Sequence, residues 1–156
     1  MPDDVHAEAE DATPFRRLTE EFSVAPQITA EDVKRAAALG VTLIINNRPD
    51  GEEPGQPTGV EIRDAADAAN IDYAAIPVDR SGLTIAHLKS FEAAIAGHDK
   101  ALAYCRSGTR SATLWAFARV HAGEPVDDVM AVAVNAGYDL RASRPTLTAL
   151  ARANSQ

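Results

Sequence analysis

The sequence predicts an α/β domain, a three-layer sandwich with a mostly parallel central sheet. Three observations carry this. Short apolar, β-branched runs recur along the chain, clearest at residues 41–45 (Val-Thr-Leu-Ile-Ile), and a continuous run of this kind suits a strand covered on both faces. Segments with apolar residues at helical spacing alternate with these runs. Helix start and stop residues stand where the period changes. Strands that alternate with helices imply parallel pairing, because the intervening helix is the crossover.

Taken in order, Phe22–Ala25 is the first expected strand. Thr29 then reads as an N-cap, with Asp32 three residues on in a variant of the capping box. That helix runs through Val33 and Ala36 to Leu39, and Gly40 stands where a left-handed residue ends it. Residues 46–59 hold three prolines and three glycines without helical or strand period, so they read as a long loop of the kind that often serves function. A helix is expected over 61–70, with Ile62, Ala65, Ala66 and Ala69 on one face, and a strand over 71–78. Thr84 caps the next helix, in which Ile85, Leu88, Phe91 and Ile95 repeat at helical spacing. Ala101–Tyr104 is a short strand running into Cys105. A helix over 111–122 follows, with Leu114, Phe117, Ala118 and His121 on one stripe and Gly123 after it. Pro125 opens a further helix at its first turn, and 144–153 is a last short one.

At 156 residues the chain fits one domain, expected over 15–156 behind a frayed, acidic and Ala-rich tail at 1–14. The tail lacks the basic start and apolar stretch of a secretion signal, so the expected location is cytoplasmic. No apolar run is long enough to span a bilayer. A net charge of -8 argues against nucleic acid and anionic membrane as partners, and makes a local cluster of arginines more telling. One cysteine permits no internal disulfide and no zinc site built on several thiolates. His6, His87, His98 and His121 are scattered without ligand spacing, so neither a metal site nor a cofactor is expected.

The chemistry concentrates in Cys105-Arg106-Ser107-Gly108-Thr109-Arg110, between a strand and a helix. Ligands of parallel sheets bind at the carboxyl ends of strands, and Cys105 lies at one. Gly108 allows a tight turn and close approach of a ligand to the main chain. The helix that follows directs its unpaired N–H groups and positive dipole end into the loop. Successive loop N–H groups can form an anion-binding nest. Arg106 and Arg110 add positive charge, and Ser107, Thr109 and Ser111 can donate hydroxyl bonds to the sulfur or to bound oxyanions. Together these favour a thiolate nucleophile and an anionic substrate.

The loop with its flanks, 104–112, resembles the active-site loop of rhodanese sulfurtransferases, and also the signature of cysteine-dependent phosphatases of the protein-tyrosine and dual-specificity type. The strand at 40–46 followed by Arg48, and residues 73–77 followed by Asp79, resemble the two strands before the catalytic loop of dual-specificity phosphatases. Residues 46–57 (Asn-Asn-Arg-Pro-Asp-Gly-Glu-Glu-Pro-Gly-Gln-Pro) are similar to the phosphatase-like domain of beta-lactamase-hydrolase-like proteins, a family described both as phosphatases and as sulfur transferases. The resemblance covers about residues 15–145 and implies a cysteine-phosphatase-like fold. It also implies a persulfide-oxidising, metallo-hydrolase-like enzyme as working partner.

Two departures from the phosphatase signature matter. Tyr104 stands where the signature has histidine, and four residues rather than five separate Cys105 from Arg110. A shorter loop offers one donor fewer and a narrower cradle, which suits a single sulfur atom better than a phosphoryl group. The expectation is therefore a sulfurtransferase. Cys105 would take sulfur from thiosulfate or a persulfide, and Arg106 and Arg110 would hold the anionic part. The alternative is a phosphatase that forms a phosphocysteine at Cys105. Arg110 would then bridge two phosphoryl oxygens and Asp79 would be the candidate general acid, with Asp50, Glu52 and Glu53 weaker candidates. Asp79 reads at least as well as a turn residue before Thr84. A third alternative is a sensor or carrier that holds sulfur on Cys105 without turnover. Arg48 follows a strand and either reaches the same sheet edge as Cys105 or forms a salt bridge; Trp115 reads as core, and Arg141 and Arg144 as solvated.

Overall fold

The computed structural model describes residues 14–154. The tail expected at 1–14 therefore falls almost wholly outside the described residues. The chain runs β1 (Arg16–Arg17), β2 (Phe22–Ala25), α1 (Ala30–Ala38), β3 (Leu43–Asn46), α2 (Gly59–Ala68), β4 (Asp72–Ala75), α3 (Ile85–Ile95), β5 (Ala101–Tyr104), α4 (Thr109–His121), α5 (Val126–Asn135), a short 3-10 turn (Arg141–Ser143) and α6 (Arg144–Asn154). The five strands lie in the order β1-β2-β5-β3-β4. β2, β5, β3 and β4 are parallel, and β1 pairs antiparallel with β2 at the edge.

Strand side chains alternate between two cores. Val24, Ile45 and Ala103 face one core with α3, α4, α5 and α6; Ala25, Ile44, Leu102 and Tyr104 face the other with α1 and α2. This is the expected three-layer sandwich. α4 is its central post: Leu114, Trp115, Phe117 and Val120 are all buried. Removing a large apolar side chain from such a site costs about 2–5 kcal/mol, so the start of α4 is a firm platform.

The caps explain several boundaries. Thr29 accepts from Asp32 N–H and the Asp32 carboxylate accepts from Thr29 N–H, which closes the expected capping box. Thr84 and His87 make the same reciprocal pair. Gly40 is left-handed at φ +88°.

Elsewhere the expected bounds need correction. α2 starts at Gly59 because Thr58 caps it. β4 ends at Ala75, ahead of Pro77, which has no N–H for a ladder. α4 begins at Thr109, and Pro125 is the N-cap of α5 rather than its first residue. His121 leaves the apolar stripe, its ring bonded at the surface to Glu92. β1 went unforeseen.

The register places the site. Tyr104 pairs with both Ala25 and Asn46, so β2, β5 and β3 end side by side. The segments after them, carrying Gln27, Cys105 and Arg48, emerge together at one edge of the sheet.

Candidate active site

Cys105 is fully buried directly after β5, and its N–H still donates to Ala25 O at 3.3 Å. The chain then turns through Gly108, at φ +98°, into α4. Gly108 N–H donates to Cys105 Sγ at 3.1 Å, so the turn brings a backbone donor onto the sulfur. A Cβ on Gly108 would collide with the Tyr138 hydroxyl and lie 2.9 Å from its ring carbon Cζ. The glycine thus serves both the left-handed turn and the close approach of Tyr138. Among the described residues, the N–H groups of Arg106 and Ser107 meet no backbone or side-chain acceptor. α4 has neither a side-chain cap nor an acidic residue in its first turn, so nothing of its own offsets the positive end of the helix. The loop thus leaves backbone donors and the positive end of α4 without partners beside Cys105.

The hydroxyls of the loop behave differently from expectation. Ser107 Oγ donates to Thr109 Oγ1 at 3.1 Å and accepts from Thr109 N–H, so both brace the outer turn. Ser111, fully buried, donates to Asn47 Oδ1 at 2.8 Å rather than to the sulfur. Asn47 in turn donates from Nδ2 to Ile76 O and from its backbone to Tyr104 O. This buried chain ties the start of α4 to the ends of β3 and β5. Tyr104 points into the core beneath α1 and α2, and burial pushes its phenol up.

Arg110 is held by two acceptors. Its Nη1 donates to Glu52 Oε2 and Val78 O, both at 2.7 Å, and its Nη2 donates to Glu52 Oε1 at 2.8 Å. Glu52 therefore takes the Nη1–Nη2 edge of the guanidinium. Among the described residues the Nε proton and one Nη2 proton are left for another pair of oxygens. Behind Glu52 sits Arg48, whose side chain is 1% exposed; it donates to Glu52, Glu53 and Gln27. Arg48 is thus the buried, salt-bridged strut beneath Glu52 and Glu53. The hydrogen bonds from Arg110, then those from Arg48, pull the Glu52 carboxyl down to about 2, against its partial burial. Arg110 is raised above its ordinary value, first by Glu52 and in smaller part by the nearby Cys105 sulfur. Glu52 was a weak candidate acid in the sequence; held this firmly ionised, it is instead the group that aims Arg110. Glu53 is also lowered, first by Arg48.

Asp79 stands across the same opening. Glu52, Asp79, Arg80, Arg106, Arg110 and Gly51 line a cleft of about 450 Å³. Asp79 accepts from both the N–H and the hydroxyl of Ser81, and these bonds hold its carboxyl below the ordinary range. In this arrangement it is an ionised turn residue before Thr84. A second cleft of about 320 Å³, with Val78, Leu83 and Phe117 among its lining, shares Asp79 and Arg110 with the first. The structure thus brings together Cys105, Arg106, Gly108 and Arg110, with Asp79 at the rim, and turns Ser107, Thr109 and Ser111 to bracing the loop.

The sequence did not point to Glu52 as partner of Arg110, nor to Tyr138 against Gly108. Arg48 directly after a buried strand, with glutamates four and five residues on, signalled its own pairing with them but not that Glu52 also reaches Arg110. Among the described residues, no group of three or more His, Cys, Asp or Glu is placed to hold a metal ion, and no helix is long and apolar enough to cross a membrane.

Comparison with known proteins gives the family and the fold. The model of the phosphatase-like domain of beta-lactamase hydrolase-like proteins matches residues 14–122. The beta-lactamase hydrolase-like protein of Agrobacterium fabrum is 36% identical over 134 residues, which cover 81% of this chain and 30% of that protein. Its counterpart from Xylella fastidiosa is 35% identical over 125 residues, 79% of this chain and 29% of that one. The chain thus spans about 30% of the length of these curated relatives. A solved structure of a candidate phosphatase from Neisseria meningitidis is 34% identical with a TM-score of 0.77, over 86% of this chain and 96% of that one. The kinase associated phosphatase, solved with its catalytic-site cysteine replaced by serine, shares the fold at a TM-score of 0.68 and 13% identity, over 86% and 87% of the two chains. The architecture is that of the cysteine phosphatases.

Proposed function

Because the chain belongs to the family of phosphatase-like domains of beta-lactamase hydrolase-like proteins, we propose that it is a cysteine-dependent phosphatase acting on phosphomonoesters. The observation that carries this reading is the guanidinium of Arg110. Glu52 holds one edge and leaves the Nε–Nη2 edge for two equatorial oxygens of a phosphoryl group beside Cys105. The same edge also suits the sulfonate of thiosulfate, so it is the family that ranks phosphate above sulfur, the reverse of the expectation from loop length alone. The Neisseria structure, at 34% identity, weighs on the same side.

In the reaction, the Cys105 thiolate attacks phosphorus, an S–P bond forms, and the P–O bond to the alcohol breaks. The alcohol leaves with the electron pair and takes a proton. Water then attacks phosphorus and releases orthophosphate and the thiolate. The free N–H groups of Arg106 and Ser107 and the positive end of α4 stabilise the charge on the phosphoryl oxygens. Asp79 reaches the cleft as the candidate proton donor. Held ionised by Ser81, it serves best where the leaving group needs little help.

Sulfur transfer is the second reading, favoured by that ionised Asp79 and by the four-residue spacing of Cys105 and Arg110. Cys105 would carry a persulfide, and a persulfide-oxidising, metallo-hydrolase-like enzyme would be its partner. A side-by-side assay separates the two. Under the phosphatase reading, the protein hydrolyses an aryl phosphate, vanadate inhibits it, and Cys105→Ser lowers turnover at least about 1000-fold. Cys105-dependent thiocyanate formation from thiosulfate and cyanide, without phosphate release, would overturn that reading.

A further inference from the structure

We infer that Arg80 and Arg106 form a second anion subsite in the cleft beside Arg110, so that the preferred substrate carries a second phosphate close to the reacting one. The inference rests on the phosphatase reading and names the substrate class within it. Its basis is an imbalance of partners. Arg80 lines the 450 Å³ cleft together with Arg106 and Arg110. Arg110 is engaged by Glu52, and Arg48 by Glu52 and Glu53. The neighbouring carboxylate of Asp79 is bonded to Ser81 instead of Arg80. Among the described residues, Arg80 forms no ion pair or hydrogen bond. Arg106 has only a 3.6 Å approach to Glu53, and its side chain is 68% exposed.

One unpaired guanidinium, Arg80, and one loosely paired with Glu53, Arg106, therefore face one opening on a chain whose net charge is -8. One phosphoryl group held by Arg110 and the loop amides does not use them. A second phosphate, a few bonds away, would. A charge-assisted contact of this kind is worth about tenfold in affinity or more.

The test is equilibrium binding to the Cys105→Ser protein, at fixed ionic strength, of orthophosphate, pyrophosphate and fructose 1,6-bisphosphate. At least one bis-phosphate is expected to bind about tenfold tighter than orthophosphate. Arg80→Gln, at an exposed position, should remove most of that gap. Equal affinities for all three anions, or a gap that survives Arg80→Gln, would overturn the inference. If a bis-phosphate binds through Arg80 while the wild-type protein releases no phosphate from it or from an aryl phosphate, the subsite stands and the phosphatase reading falls. If no anion binds, both fall.

Discussion

Replacing Gly108 by alanine separates the two jobs this residue performs. The first is the left-handed turn at φ +98°, which costs an L-residue about 1–2 kcal/mol. The second is space. The new Cβ would run into the Tyr138 hydroxyl and lie 2.9 Å from Cζ and 3.1 Å from Cε1, closer than packed carbons come. Overpacking of this kind costs about 1–3 kcal/mol, so Gly108→Ala should lose about 2–5 kcal/mol in urea unfolding. Gly123 is the internal control. It is also left-handed, at φ +105°, but nothing lies within 4 Å of its Cβ position, so Gly123→Ala should lose only the backbone share of about 1–2 kcal/mol. Adding Tyr138→Phe to Gly108→Ala removes the hydroxyl and should recover about 1 kcal/mol, a positive coupling in a double-mutant cycle. Turnover should fall about 100-fold in Gly108→Ala, because the N–H donor on Cys105 Sγ is displaced. Equal losses for Gly108→Ala and Gly123→Ala, with no coupling to Tyr138, would refute the close-approach argument.

Glu52→Gln should lower kcat/KM about 5–30-fold, since a charge-assisted fork on Arg110 becomes a neutral contact worth about 1–2 kcal/mol less. The same variant has a pH signature in stability. Glu52 is lowered from 4.5 to about 2 in the folded chain, so its contribution is full above pH 4.5 and is lost as pH falls toward 2. The stability gap between wild type and Glu52→Gln should close over that window, and a gap independent of pH would contradict the ion pair. Ser81→Ala removes the hydroxyl that holds Asp79 ionised, so Asp79 should return toward the ordinary carboxylate range. The rate on alkyl phosphates near pH 5 should then rise relative to that on aryl phosphates. Asp79→Asn should abolish this difference; no change in either variant would remove Asp79 from the mechanism.

Much of the architecture was legible because the sheet is covered on both sides. Continuous apolar runs such as Ala101–Tyr104 mark themselves, and the threonine caps at Thr29 and Thr84 mark the helices after them. β1 was not legible: two arginines on an edge carry no apolar pattern, and antiparallel pairing with Val24 and Ser23 alone makes them a strand. The nucleophile loop was legible because glycine, arginines and cysteine are contiguous. Its supports were not, because they are long-range. Glu52 and Arg110 lie 58 positions apart and Ser111 and Asn47 lie 64 apart. Nothing local says which of several acidic residues in a proline-rich loop folds back onto the arginine. Ser111 read as a loop donor from its position; only packing shows its hydroxyl committed to Asn47. Loop length pointed to sulfur, but it takes no account of how Arg110 is oriented.

The most direct measurement of the central claim is acid-quenched mass spectrometry of the protein caught during turnover of an aryl phosphate, with the adduct mapped to a residue. The account predicts a phosphoryl group on Cys105 in wild type and none in Cys105→Ser. Turnover with no phosphocysteine, or a Cys105 persulfide formed from thiosulfate as the only adduct, would contradict it.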